Sequence, residues 1–140
     1  MPIHPAVEHC RLASIVAHDR MLDADAAARL AESGRLAVRA ALDRGDYASA
    51  HASLRHLRRV AGGCREDAYE ARDAANACRE HAATVADARG RVAAAVATGQ
   101  FTHRADYAAD QADERKREAA RAFAHARLDW TAAQRRLENA

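Results

Sequence analysis

The residues best able to do chemistry in this chain are its eight histidines and three cysteines. Cys78 and His81 stand one helical turn apart and could supply two ligands of a metal site. Cys64 precedes Cys78 by two heptads, about 21 Å along one helix, so it cannot join them from that helix. No pair of histidines has the four-residue spacing that sets two imidazoles on one metal. A small buried cysteine beside a boundary histidine is the simpler reading of Cys78 and His81. No metal is expected.

The carboxylates form no recognisable catalytic pair. There is no Glu-x-x-His, which argues against a di-metal carboxylate centre. There is no nucleophile elbow, phosphate-binding glycine loop or dinucleotide fingerprint. Gly62-Gly63-Cys64 precedes a helical pattern, and a helix N-terminus can activate a thiolate. No histidine or acid stands near it in a triad-like pattern, so Gly62-Gly63 reads as a helix stop and Cys64 as a core residue. No catalytic residue and no cofactor site is expected.

Two groups suit binding better than catalysis. Arg55, Arg58 and Arg59 occupy a stretch, Ser53 to Cys64, that contains no acid. This is the best candidate for a basic surface, and it is the basis of a nucleic-acid reading. Arg115, Lys116, Arg117 and Arg121 are interleaved with Asp113, Glu114 and Glu118, as on a solvated helix face. Phe123, Trp130 and Leu137 share one seven-residue register near the C-terminus. They form either core or an aromatic strip for a partner, since such side chains dominate interface energetics.

Composition limits what can hold these groups. Alanine accounts for 40 of the 140 residues, and no leucine, isoleucine or methionine lies between Leu57 and Leu128. Packing there must rest on close helix approach, which buries less apolar area than a leucine seam. Alanine is the best helix former, and Pro2 and Pro5 are the only prolines. The chain is therefore all-α. Its 21 arginines against one lysine, with so much alanine, fit a GC-rich bacterial coding bias. The net charge of +2, with both signs interspersed, gives no strong field toward nucleic acid or anionic membrane. No apolar run is long enough to span a bilayer or to form a signal-peptide core, so the expected location is the cytoplasm. An odd number of cysteines in helical patterns points to reduced thiols.

The elements follow from spacing. One long or slightly kinked helix is expected over about 6–43, with a break near Asp19–Asp23 as the alternative and Gly34 a soft spot. Gly45 can take the left-handed stop and Asp46 can cap the next helix. That helix, 46–60, is short and ends at Gly62-Gly63. The heptad then returns with Cys64, Ala71, Cys78, Val85 and Val92, running to about residue 98 with Gly90 tolerated inside. Gly99 to Thr102 reads as a tight turn into the last helix, 103–138. There Ala105, Ala112, Ala119, Ala126 and Ala133 fill one register, and Ala109, Lys116, Phe123, Trp130 and Leu137 the other. The expected architecture is an elongated antiparallel helical bundle in a single domain, 1–140. It is built on an alanine-rich coiled-coil hairpin (64–98 with 103–138), with a long N-terminal helix and a short one added.

Ala37 to Leu57, with Ala41-Leu42, Gly45-Asp46-Tyr47, Ala50 and Leu54, resembles one tetratricopeptide-repeat helical hairpin, without a second copy. The hairpin of Cys64–Thr98 and His103–Leu137 is similar in plan to the stalk proteins of flagellar and type III export systems. A likeness to tetratricopeptide-type secretion chaperones is of the same order. These resemblances imply an export-stalk or secretion-chaperone role. The residues themselves favour a non-enzymatic protein acting through helix surfaces: an adaptor, chaperone or assembly component, with a protein partner or self-association. A nucleic-acid-associated regulator using Arg55–Arg59 is the alternative. A metal carrier using Cys78 and His81 is the remaining class.

Overall fold

A computed structural model describes residues 4–86 and 92–140. It contains three long helices packed against each other, so the chain is an all-α helical bundle. Helix α1 spans Pro5–Asp43, α2 spans Tyr47–Ala86 and α3 spans Val92–Glu138.

Pro5 opens α1, where its missing N–H costs nothing. The Ala6 amide donates to His4 Nδ1 at 3.0 Å. The helix passes unbroken through Asp19–Asp23 and Gly34. It ends at Gly45, whose φ of +72° is the left-handed stop expected there. The amides of Gly45 and Asp46 donate to the carbonyls of Leu42 and Ala41, a pattern that satisfies the last carbonyls of α1. Asp46 then caps α2, accepting the Ser49 amide on Oδ1 at 3.1 Å.

Two expected breaks are absent. Gly62-Gly63 lies inside α2, so the short helix 46–60 and the helix from 64 are one element. Gly99–Thr102 lies inside α3, and Thr102 caps nothing there. Instead its hydroxyl donates to the Thr98 carbonyl at 2.8 Å. The physical reason is continuity of the buried register. Ala50, Leu57, Cys64, Ala71, Cys78 and Val85 recur every seven residues, and all are buried. Thr98 extends the register of Ala105 to Ala133 in the same way. An interior glycine costs about 1 kcal/mol, less than breaking such a seam. The hairpin of 64–98 with 103–138 is therefore replaced by α2 against α3. The expectation that Gly90 lies within a helix falls outside the described residues.

The chain divides into two compact units. Unit 1 comprises Met1–Asp23 and Glu66–Asp113; unit 2 comprises Ala24–Arg65 and Glu114–Ala140. In unit 1, α1 and α2 run antiparallel. Cys10 Sγ donates to the Cys78 carbonyl at 2.9 Å, and Arg20 Nε lies 2.7 Å from Glu70 Oε2. Arg72 joins α2 to α3 through Asp110 and Asp113, at 2.6 and 2.8 Å. Arg79 does the same through Asp106 at 2.7 Å.

In unit 2, Cys64 Sγ donates to the Ala24 carbonyl at 3.4 Å, and Arg115 Nε reaches Asp25 at 3.0 Å. Arg39 faces Asp129 at 3.7 Å. Both cores are lined mainly by alanine, with cysteine, Val38, Leu57 and Val85 among the largest fully buried side chains.

Candidate interaction surfaces

Several large apolar side chains of α1 point outward. In unit 1, Leu12, Ile15, Val16 and Leu22 are 47, 43, 46 and 51% exposed. The buried positions on the same stretch are Cys10, Ser14 and Ala17. The exposed four fall at i, i+3, i+4 and i+10, so they make one stripe along the helix. Beside the stripe is a mostly apolar cavity of about 520 Å³, lined by Ser14, Ile15, His18, His103, Arg104 and Tyr107. Monomeric proteins seldom leave such rows uncovered. Leu12, Val16, Leu22 and Leu30 are apolar enough for a core, yet all four are exposed.

Unit 2 brings together most of the residues singled out by spacing. Arg55 and Arg58 line a cavity of about 470 Å³ with His51, Leu54, Phe123 and Arg127. Arg58, Arg59 and Phe123 also line a second cavity of about 460 Å³, with Ala61, Gly62, Arg65, Lys116 and Ala120. The Arg127 guanidinium sits 5.8 Å from the Phe123 ring centroid. Trp130 is half-buried, its ring tilted on that of His51 at 5.3 Å. Leu137 lines neither cavity and is exposed in the last turn of α3. Phe123 and Trp130 therefore meet α2 between His51 and Arg65.

The thiols pack inside. Cys10 Sγ and Cys78 Sγ are 2.9 Å apart, and Thr102 Oγ1 lies 3.4 Å from Cys78. Burial, and then the hydrogen bond with Cys78, pushes the Cys10 thiol up to about 12. Such a thiol is a poor nucleophile. His81 lies with its ring 4.7 Å from that of His9. Among the described residues, no three of His, Cys, Asp and Glu are placed to hold a metal ion.

The fold defines an all-α bundle of three long helices. Comparison with protein-family models, with curated proteins and with solved structures gives no match. No described helix is long and apolar enough to cross a membrane.

Proposed function

We propose that this protein is a non-enzymatic helical interaction module, an adaptor or assembly component that binds a protein partner or a second copy of itself. The observation that carries this reading is the inverted use of bulk in unit 1. Alanine and cysteine fill the core, while Leu12, Ile15, Val16 and Leu22 stand outside beside an apolar cavity. Covering such side chains stabilises a complex by about 25 cal/mol for each Å² of apolar surface removed from water. A partner helix laid along the stripe, with one large side chain seated against Ile15 and Tyr107, uses both features. The reading places the protein in the cytoplasm, supported by three cysteines in no disulfide.

The test is a double variant, Val16→Glu with Leu22→Glu, compared with the wild type after mild purification from cells that produce the protein naturally. Both positions are exposed, so the fold tolerates the change. The wild type retains a stoichiometric companion, or a second copy, and the variant loses it. Identical companions on both proteins would refute a role for this stripe.

The Arg55–Arg59 surface supports the second reading, of a nucleic-acid-associated protein.

A further inference from the structure

Five arginines of unit 2 that lack a carboxylate partner among the described residues lie on one face. Arg29, Arg35, Arg39, Arg115, Arg117 and Arg121 each have a carboxylate partner. Arg55, Arg58, Arg59, Arg65 and Arg127 have none among the described residues. All five line the two adjoining cavities, and no carboxylate lines either one. On α2 the row runs at i, i+3, i+4 and i+10, about 15 Å from Arg55 to Arg65 at 1.5 Å per residue. Gly62 stands within the row, and no atom lies within 4 Å of where a Cβ would be. Its missing side chain, with Ala61 and Ala120, leaves a groove floored by small residues and walled by guanidinium groups.

Rings interrupt the cationic row. Phe123 is common to both cavities, and His51, backed by Trp130, lines the first. A guanidinium row alone would suit any polyanion. Rings placed among the guanidiniums suit a polyanion that also carries flat groups. Arginine adds to this, since its planar fork both pairs with phosphate and stacks on bases.

We infer that this face of unit 2 binds single-stranded nucleic acid, with phosphates held by Arg55, Arg58, Arg59, Arg65 and Arg127 and bases stacked on Phe123 and His51. The small whole-chain charge of +2 does not oppose this, because five arginines meet on this face and no carboxylate lines either cavity. The site is separate from the apolar stripe of unit 1 and does not rest on it.

The experiment is fluorescence anisotropy of a fluorescein-labelled oligothymidylate of about 20 nucleotides, titrated with the full chain over a range of salt. Five phosphate contacts give a slope of log K against log salt of about −3.5, at about −0.7 per contact on a single strand. Arg58→Ala brings the slope to about −2.8. Phe123→Leu keeps the apolar volume, leaves the slope unchanged and weakens binding about tenfold, with a thermal melt like the wild type's. The Val16→Glu, Leu22→Glu protein binds the oligonucleotide as the wild type does, which separates this site from the stripe of unit 1. No anisotropy change at about 50 mM salt would overturn the proposal, since electrostatic binding is strongest at low salt. So would an unaffected Phe123→Leu protein, or a labelled polyglutamate of similar length bound as tightly as the oligonucleotide.

Discussion

Gly34 of α1 faces Leu57 of α2, and a Cβ at position 34 would stand 3.3 Å from Leu57 Cδ1. Leu57 is the largest fully buried side chain among the described residues. Its width in an otherwise alanine-lined core is accommodated by the missing side chain opposite. Gly34 is thus a packing notch, not a weak point in α1. Gly62, Gly63 and Gly99 differ, because a Cβ there meets nothing within 4 Å.

This contrast gives the first prediction. Gly62→Ala and Gly99→Ala each stabilise the protein by about 0.5–1 kcal/mol, the helix-propensity gain of alanine over glycine. Gly34→Ala gains less than either, because Leu57 must shift by a few tenths of an ångström. Chemical denaturation of the three variants measures the order. Destabilisation by Gly62→Ala or Gly99→Ala would mean that α2 or α3 is interrupted there.

Leu57→Ala tests the same notch from the other side. Removing this side chain leaves a cavity that alanine neighbours cannot fill, so the loss is about 2–5 kcal/mol. Denaturant midpoints measure it, and a loss well below 1 kcal/mol would contradict the packing described.

Asp67 supplies a prediction in pH. Burial, and then the negative charge of Asp23, holds its carboxyl above the usual carboxylate range, against the pull of Arg20. A carboxyl whose folded pKa exceeds its unfolded one binds its proton more readily in the folded state. The ionised form therefore penalises folding at neutral pH, and the penalty fades as pH falls through the carboxylate range. Asp67→Asn raises the Tm at about pH 7 and leaves it unchanged near about pH 2.5, where the native side chain is protonated in both states. Arg20 retains Glu70 at 2.7 Å, so the substitution strands no charge. An equal shift at both pH values would contradict this assignment.

The thiols give a prediction of silence. With Cys10 pushed to about 12, on the order of one molecule in ten thousand carries its thiolate at about pH 8. Cys64 and Cys78 are equally buried. Native protein treated with iodoacetamide shows no added mass, and the same protein in guanidinium shows three adducts. Rapid native alkylation would restore a chemical role for the Cys10–Cys78 pair.

Much of this was legible in the sequence, and the failures share one cause. Helicity, the Gly45–Asp46 turn and the buried alanines from Ala105 to Ala133 all follow from local signals. The stops assigned to Gly62-Gly63 and Gly99 weighed one local signal against the wrong alternative. Leu57 and Ala50 lie in the same register as Cys64 and Cys78, so the seam was continuous through the glycines. Cooperative packing along that seam outweighs two unfavourable residues. Arg55, Arg58, Arg59 and Phe123 could each be named from spacing, yet their meeting could not. It depends on where α3 starts relative to α2. The outward face of α1 is not legible from residue type alone, because in a core this narrow alanine goes inside in place of Leu12, Leu22, Leu30 and Leu36, and Leu57 is buried opposite Gly34.

The most direct measurement of the central claim is the mass, by light scattering, of the species recovered from cells that produce the protein. A partnered module gives a mass above the 15.2 kDa of one chain, falling to that value in the Val16→Glu, Leu22→Glu variant. A wild-type species at 15.2 kDa, matching the variant, would contradict the account.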